Sequence, residues 1–448
     1  MDVQNSTENP QWEDKSNSHA PTAADDPRPL PTSILRVIHH ASNIPAEKQT
    51  DDLTVPVELI GSFLSKVDSI FPSGFPEGKF EYYVETDTRQ RVSKTEERLA
   101  NTDLHEIETS LRKAGEVHKE VRSYVQSKIR PGMRYWDICC DLEDKVRLLI
   151  GENGPSAGMG FPTGVSPNHV AAHYTPNPGD STVLQYHDVV KLDFGTEVNG
   201  HIIDCAFTVA FDPQFDPLLE ATREATYKAI RSAGVDARLG ELGGQIEEII
   251  TSYEVEIYGR TYPIVPIRNL SGHSIVKGSI HGSKGIPLIY EDTAERMEEG
   301  EIFAIETFAS TGKGVAKESG MTSHYALNAM SEYPVLTEPE VRLFSHVKRT
   351  FDTLPFCRRW LDREDGGSFA VNGLRGRQRK CIDTLNELVR KGVVEDYPPL
   401  CDIVGSYSSQ LEHTLLVKWG RWKGLMVGRT VRRSSRWETT FEDFESVC

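Results

Sequence analysis

The feature that most constrains the fold is a pair of apolar strands joined by a polar turn, KLDFGTEVNGHIIDCAFTV, at residues 191–209. The turn contains Asn199-Gly200, a dipeptide that favours the tight turns of β-hairpins. Each strand carries one aspartate, Asp193 and Asp204, although burying an ionised carboxylate is costly unless a partner compensates its charge. The sequence therefore predicts a hairpin whose two acidic residues have a specific partner.

Strand geometry relates the two aspartates to each other. In a hairpin without a bulge, facing residues have numbers with a constant, odd sum, which places Asp193 and Asp204 on one face. A two-residue turn puts Asp193 opposite Ala206 and makes Asp204 its diagonal neighbour, whereas a longer loop puts the aspartates opposite each other, with Cβ atoms about 5 Å apart. Like charges that close repel without a cation. A shared metal is therefore the favoured interpretation, and hydrogen bonding of either aspartate to a loop is the alternative.

Charge and cysteine content narrow the class of protein. The 448-residue chain has a formal net charge of −17, whereas a nucleic-acid-binding surface needs clustered positive charge. The sequence lacks an apolar run long enough for a transmembrane helix, and its first residues lack the basic start and apolar stretch of a signal peptide. Seven cysteines without a C-x-x-C pair are typical of a reducing compartment. We therefore expect a cytoplasmic protein that binds neither nucleic acid nor membrane.

Helices and strands alternate in a pattern that occurs twice. Apolar residues at helical spacing and helix-ending signals predict four helices, at residues 102–129, 136–150, 216–233 and 239–253. Strand-and-turn residues 156–211 follow the first pair of helices, and more strands follow the second pair. This order indicates two related halves. A more helical segment between residues 323 and 396 interrupts the later strands and is interpreted as an insertion.

Three further polar side chains occur where the strand pattern favours apolar ones. They are Glu306 in IFAIETF, Glu412 in SQLEHTLL and His273 in NLSGHSI. Taken singly, Glu412 is better interpreted as a hydrogen-bonded structural acid and His273 as a core histidine. Together with the two aspartates, however, they form a set of four carboxylates and one imidazole, which suits Mn²⁺, Fe²⁺, Co²⁺ or Zn²⁺. Two such cations would balance four negative charges and could activate a water and polarise a carbonyl or phosphoryl oxygen.

Two more histidines stand in predicted loops near these strands, His173 in HVAAHYTPN and His281 in GSIHGSKG. A neutral imidazole can donate to or accept from a reacting carbonyl or amide. The alternative interpretation of each is a surface histidine without a chemical role.

Several long motifs carry a family resemblance. The stretches FPTGVSPNHVAAHYTPNPGD, KLDFGTEVNGHIIDCAFTV, PIRNLSGHSI, GEIFAIETFASTGKG and GSYSSQLEHT resemble those of type 2 methionine aminopeptidases, over about residues 70–417. The resemblance implies an α+β pita-bread fold, in which a pseudo-twofold antiparallel sheet is backed by helices, and the segment at about 324–396 resembles the helical insertion of type 2 members. It also implies removal of the initiator methionine from nascent chains when the second residue is small, by water attack on the first peptide bond.

The resemblance assigns roles to particular residues. Five residues match the ligands of two divalent cations (Co²⁺, Mn²⁺, Zn²⁺ or Fe²⁺): Asp193, Asp204, His273, Glu306 and Glu412. Three match catalytic or proton-moving groups: His173, Glu306 and His281. Besides His173 and His281 as substrate contacts, four match the surroundings of the methionine side chain: Phe161, Ile280, His324 and Tyr397.

The resemblance also leaves two rival functions to weigh. One is a binding protein of the same fold that has lost its metals, which the presence of all five matching ligands disfavours. The other is a proline-directed dipeptidase, which the AAHYTPN and SHY contexts and the long insertion disfavour. We expect a monomer whose partners are nascent polypeptide N-termini. Ribosome association is left open, because the family's lysine-rich N-terminal segment is absent.

The expected domain organisation has three parts. Residues 1–95 are predicted to be a largely disordered extension, residues 96–417 the catalytic domain, and residues 418–448 an atypical tail. Segment 363–380 has no family counterpart that we recognise. The tail is rich in tryptophan and arginine, which is typical of translated non-coding sequence or an altered reading frame, with a basic, aromatic binding tail as the alternative. We expect residues from about Gly424 onward to be mobile and dispensable.

Overall fold

A computed structural model describes residues 66–75, 79–80, 104–328, 334–361, 375–418 and 425–426. The side chains of residues 79–80, 375–381 and 425–426 are outside this description. The expectations for most of the N-terminal extension, for segment 363–374 and for most of the tail concern residues outside the described ranges, since only residues 66–75 and 79–80 of the extension are described. Of the tail, Leu425–Met426 form a short strand beside Leu415 and Leu416.

The helices of the described residues are α1 Val67–Ile70, α2 Leu104–Lys128, α3 Tyr135–Ile150, α4 Asp216–Ser232, α5 Leu239–Thr251, α6 Glu338–Thr350, α7 Arg358–Leu361 and α8 Arg375–Arg390. The four predicted helices of the two halves therefore form, with ends shifted by one or two residues. Gly151 ends α3 in the left-handed conformation, with φ 70°, which glycine adopts without steric cost. Helix α4 begins at Asp216, which Pro217 follows in the first turn.

The strands of the described residues, in chain order, are β1 Lys79–Phe80, β2 Ala157–Pro167, β3 Val170–Ala172, β4 Val189–Val198, β5 His201–Ala210, β6 Glu254–Ile257, β7 Arg260–Pro263, β8 Val265–Pro266, β9 Ser271–Ile275, β10 Gly285–Pro287, β11 Ile302–Ser310, β12 Lys317–Glu318, β13 His324–Leu327, β14 Phe356–Cys357, β15 Val394–Tyr397, β16 Leu400–Cys401, β17 Ser408–Leu416 and β18 Leu425–Met426.

Two antiparallel sheets form the centre of the molecule. The first has the order β2-β4-β5, and the second has the order β1-β18-β17-β11-β9-β10, with β8 on the end of β11. Helices α2 and α3 pack on the first sheet, while α4 and α5 pack on the second. The structure has two apolar cores, one mainly between the first sheet and α2 and α3 and the other mainly between the second sheet and α4 and α5. The first also includes residues of β9, β11 and β17, and the second includes residues of β3 and β4. The predicted two-halves architecture of helices backing antiparallel strands is confirmed.

Two threonine hydroxyls join the sheets where β5 of the first half meets β17 of the second. The Thr414 hydroxyl accepts a hydrogen bond from the Asp204 backbone N–H and donates one to the Asp204 carbonyl, each at 2.7 Å. The Thr208 hydroxyl makes the same pair of bonds to the backbone of Gln410, each at 2.8 Å. The two contacts mirror each other, four residues apart on each strand, as a pseudo-twofold relation requires.

The predicted insertion contains both helices and strands. Strand β13 pairs with β14 and β15 in a small sheet, helix α8 packs against β15, and α6 packs against α8. A capping box at Thr337 and Glu340 begins α6. Since β13 starts at His324 and β15 ends at Tyr397, which is its partner, the insertion both leaves and re-enters the domain at one place.

Candidate metal centre

The hairpin that carries the two aspartates has the shorter of the two turns considered. Asn199 and Gly200 both have positive φ, 54° and 84°, as a tight hairpin turn requires. Asp193 lies opposite Ala206, and Asp204 lies opposite Gly195. The aspartates are therefore diagonal neighbours on one face, as the two-residue turn predicts.

The other acidic residues meet on the second sheet. Glu306 of β11 lies directly opposite Glu412 of β17. His273 of β9 lies opposite Ala304 of β11, which makes it the diagonal neighbour of Glu306. Side chains two residues apart on a strand point to the same face, so these three groups share one side of the sheet.

The two sheets bring the five side chains together. Asp204, His273 and Glu412 each offer a ligand atom within 4.8 Å of the other two. The His273 Nε2 atom lies 3.4 Å from Asp204 Oδ2 and 3.8 Å from Glu306 Oε1. Asp193 reaches the same cluster through Gln410, which contacts both Asp193 and Glu306. All five residues are buried or half-buried.

The concentration of carboxylates perturbs their protonation. Burial, and next the charge of Asp204, raise the pKa values of Asp193 and Glu412 well above their usual range. Burial raises the pKa of Glu306 to about 7, with Asp204 acting in the same direction and His273 against it. Burial alone would lower the pKa of His273, but its contacts with Asp204 and Glu306 raise it to about 9. The raised pKa values show that His273 and the other protein groups do not fully balance the negative charge of the four carboxylates.

Divalent cations fit this set of donors. Within the described residues, Asp193 Oδ1 and Glu412 Oε2 are buried oxygens without a hydrogen-bond partner. Buried polar atoms of native proteins are normally paired, and a cation would supply the missing partner for both. Carboxylate oxygens with one imidazole suit Mn²⁺, Fe²⁺, Co²⁺ and Zn²⁺.

Three histidines and one tyrosine lie near the cluster. The His281 ring packs edge-on against His273, with ring centroids 4.4 Å apart. The His173 ring lies 6.0 Å from the rings of both His324 and Tyr397. Burial lowers the pKa values of His173 to about 4, and of His281 and His324 to about 3. These imidazoles are therefore neutral at pH 7 and can each donate one hydrogen bond and accept another.

Comparison with known proteins gives the family. The model of metallopeptidase family M24 matches residues 109–329. Methionine aminopeptidase 2A of Arabidopsis thaliana is 47% identical over 373 residues, which cover 83% of this chain and 79% of that protein. Methionine aminopeptidase 2 of Saccharomyces cerevisiae is 47% identical over 362 residues, covering 78% of this chain and 83% of that protein. The chain belongs to the type 2 methionine aminopeptidases of metallopeptidase family M24.

A solved structure also has a similar fold. The solved structure of a thermophilic Arx1 superposes with a TM-score of 0.60 at 18% identity, covering 74% of this chain and 93% of that chain. This likeness concerns the fold alone. The pita-bread fold expected from the sequence motifs is confirmed by the family. None of the helices in the described ranges has the length and apolarity needed to cross a membrane.

Two of the residues matched to the methionine pocket are apolar and half-buried. Phe161 of β2 lies opposite Gly195 of β4, and its ring occupies the space above that glycine. Ile280 packs against the first core, in the loop that carries His281. The role of all four residues matched to this pocket stays a prediction.

Gln410 is a site residue that the sequence interpretation missed. Its amide nitrogen donates to Glu306 Oε2 at 3.0 Å and lies 3.3 Å from Asp193 Oδ2. A signal for it existed, because Gln410 precedes Glu412 by two residues on a strand and therefore shares its face. What the sequence could not give was the neighbouring strand that brings Asp193 to the same amide.

Proposed function

We propose that this chain removes the N-terminal methionine from nascent proteins whose second residue is small. Its membership of the type 2 methionine aminopeptidases supports the activity. The observation that carries the chemistry is the convergence of Asp204, His273 and Glu412 from three strands, with ligand atoms within 4.8 Å of one another. A cluster of this kind, buried beside neutral histidines, suits metal-assisted hydrolysis.

In this proposal Asp193, Asp204 and Glu412 would hold one divalent cation, and Asp204, Glu412, His273 and Glu306 would hold a second. Co²⁺, Mn²⁺, Zn²⁺ and Fe²⁺ are the candidate ions. When bound, such a pair supplies an activated water as nucleophile and polarises the scissile carbonyl. Gln410 supports the arrangement by holding the Asp193 and Glu306 carboxylates in register.

Glu306 is the proposed proton carrier. Burial raises the pKa of Glu306 to about 7 in the metal-free site, and bound cations would lower it. Glu306 would therefore be ionised in the loaded site and able to accept a proton. Its hydrogen bond from Gln410 engages Oε2, while Oε1 lies 3.8 Å from His273 Nε2 and would face the reacting water. Glu306 would take a proton from the water and pass it to the departing amine.

His173 and His281 are the proposed contacts to the scissile amide. Both are neutral at pH 7, because burial lowers their pKa values. A neutral imidazole can donate its N–H to the carbonyl oxygen as negative charge develops there. His281 lies against His273 and His173 lies against Tyr397 and His324, so the two would reach the substrate from different loops.

The methionine side chain is proposed to lie among Phe161, Ile280, His324 and Tyr397. Aromatic and aliphatic surfaces suit a flexible thioether, and contacts of sulfur with aromatic rings are favourable. We also propose a cytoplasmic monomer that meets its substrates during translation. Gel filtration, cell fractionation and co-sedimentation with ribosomes test the oligomeric state, location and ribosome contact.

The decisive experiment measures peptide cleavage together with metal content. Purified protein is supplied with each candidate cation in turn and given Met-Ala-Ser and Met-Lys-Ser peptides. We expect free methionine from the first peptide and little from the second, with two metal ions bound per chain.

Two results would contradict the proposal. Release of a dipeptide ending in proline from an X-Pro peptide, without methionine release, would support a proline-directed dipeptidase instead. Absence of metal binding and of cleavage with every candidate cation would support a binding protein of this fold.

A further inference from the structure

A buried arginine of the insertion lies close to the loop that carries His173. Arg359 of α7 is 1% exposed, and it ion-pairs with Glu143 of α3, which is fully buried. The Trp360 indole donates to the other Glu143 oxygen at 2.7 Å, and the Thr163 N–H donates to Glu143 Oε1 at 3.2 Å. The pair thus connects the insertion with a helix and a strand of the first half.

Arg359 also reaches beyond Glu143. Its Nη1 atom donates to the Thr175 hydroxyl at 2.7 Å and to the Pro176 carbonyl at 3.2 Å. Thr175 and Pro176 follow His173 by two and three residues. A guanidinium presents its donors in a rigid fork, so Arg359 fixes this loop relative to Glu143 more firmly than a single-point contact could.

A second step carries the constraint from Thr175 to both histidines. The Thr175 N–H donates to the Ser323 hydroxyl at 3.2 Å. That hydroxyl lies 3.4 Å from the His173 carbonyl and 3.1 Å from Nδ1 of the adjacent His324. Ser323 is fully buried, so its rotation is confined to these partners.

The backbone of His173 requires such support. Its φ is 64°, in the left-handed region that side-chain-bearing residues rarely adopt. Residues in such conformations persist when the surrounding structure determines them, and they occur often at functional sites. On the other side of the loop, the Tyr174 carbonyl accepts from the Val165 N–H at 2.7 Å. Arg359 and Ser323 supply the contacts on the insertion side.

We propose that Arg359 is a positioning residue, which sets the placement of His173 and His324 through Thr175 and Ser323. The inference rests on the proposed function, because it assigns His173 and His324 to substrate contact. The insertion thereby contributes to catalysis through a buried polar connection as well as through residues at the site. Glu143 holds the Arg359 side chain in place, since an unpaired charge at that depth would be strongly unfavourable.

The test uses Thr175, because replacing Arg359 or Glu143 alone leaves a buried charge unpaired and risks loss of the fold. Thr175→Val removes the hydroxyl that accepts from Arg359 and keeps the branched shape. Thr175→Ser is the matched control, since it keeps the hydroxyl and removes only a methyl group. Both variants leave the Arg359–Glu143 pair and the backbone bond to Ser323 intact.

We expect kcat of Thr175→Val on Met-Ala-Ser to fall by about 10- to 100-fold, since a small misplacement of reacting groups has effects of that size. Thr175→Ser should stay within about threefold of the wild type, metal content should match in all three proteins, and KM should change less than kcat. The thermal midpoint of Thr175→Val should fall only modestly, because Arg359 Nη1 loses one acceptor but keeps the Pro176 carbonyl. The NMR signals of the His173 and His324 imidazoles should shift in Thr175→Val only.

The experiment separates failure of the proposed function from failure of the positioning inference. If wild-type protein releases no methionine, the proposed function fails and kcat values cannot be compared. In that case the NMR spectra alone test the positioning role, and unshifted histidine signals in Thr175→Val overturn it. If wild-type protein is active and Thr175→Val matches Thr175→Ser in kcat and in histidine signals, the positioning inference is wrong and the proposed function stands.

Discussion

Gly195 is the position where one added methyl group should change substrate selectivity. It lies on β4, two residues after Asp193, where it pairs with Asp204 of β5 on one side and with Phe161 of β2 on the other. A Cβ atom at Gly195 would lie 2.4 Å from both Cδ1 and Cε1 of Phe161. The φ of Gly195 is not in the left-handed region, so alanine fits the backbone there. The strain in Gly195→Ala comes from the Phe161 ring alone, which must move by about 1 Å to restore normal contact.

The size of the effect follows from what the ring covers. Burying a methionine side chain in an apolar pocket contributes about 1.5–3 kcal/mol, and each 1.4 kcal/mol is about a factor of ten in affinity. If the displaced ring fills the pocket, kcat/KM for a Met-Ala-Ser peptide should fall by up to about 100-fold. Activity toward an Ala-Ala-Ser peptide, which needs less space, should fall much less.

The assay is the ratio of kcat/KM for these two peptides, with metal content measured on the same samples. Gly158→Ala is the matched control, because a Cβ there would lie 3.7 Å from its nearest neighbour, an ordinary contact. An unchanged selectivity ratio in Gly195→Ala, with both cations bound, would show that Phe161 does not line the methionine pocket. Equal changes of the selectivity ratio in Gly195→Ala and Gly158→Ala would show that the change comes from distortion of the strands and not from the Phe161 ring.

Three further predictions concern the cluster and the buried ion pair. Asp204→Asn should abolish peptide cleavage and weaken both metal sites while leaving the circular dichroism spectrum unchanged; two tightly bound cations with normal turnover would refute its bridging role. His173→Ala should keep both cations but lose at least about 100-fold in kcat, and loss of the metals would instead make His173 a ligand. Burial alone would raise the pKa of Glu143, but Arg359 and Arg147 hold it below its usual value, so the stability that Glu143 contributes above about pH 4.5 is lost as the pH falls. Urea midpoints from pH 7 to pH 3.5 should therefore fall more steeply for the wild type than for a Glu143→Gln, Arg359→Met double variant, and parallel curves would contradict this.

The sequence was sufficient for the parts of the site that local rules determine. Asn199-Gly200 sets the hairpin register, and strand alternation then places Asp193 and Asp204 on one face. The same alternation singles out Glu306 and Glu412 as acids in apolar strands. These inferences succeed because turn geometry and strand pleat act over a few residues.

Contacts between distant segments could not be predicted in this way. Glu306 lies opposite Glu412 on neighbouring strands that are separated in sequence by residues 311–407. No short turn therefore sets the register of this pair. Arg359 and Glu143 are 216 residues apart in the chain, and each alone has the appearance of an ordinary charged helix residue. Such pairs depend on how complete elements pack, which local periodicity does not encode.

Helix α4 supplies the register that a turn cannot. The Thr226 hydroxyl lies 2.8 Å from the Thr307 hydroxyl of β11 and 3.1 Å from the Leu411 carbonyl of β17. Thr307 and Leu411 face each other in the ladder, one residue from Glu306 and Glu412. One buried hydroxyl on the helix face therefore fixes both strands at the level of the two glutamates.

The hydrogen bonds that align the cluster are made by neutral groups, whereas the side chains of the cluster itself are ionisable. Thr414 holds the Asp204 backbone against the strand of Glu412, Thr208 holds Gln410, and Thr226 aligns the two glutamate strands. Threonine hydroxyls do not titrate in the range where carboxylates and imidazoles do. Protonation of Glu306 or His273 therefore changes the charge of the site without removing the hydrogen bonds that set its geometry. A scaffold built in this way keeps the five proposed ligands in place while the net charge among them changes. The proposed site, which would take up two cations and move protons during each turnover, requires this.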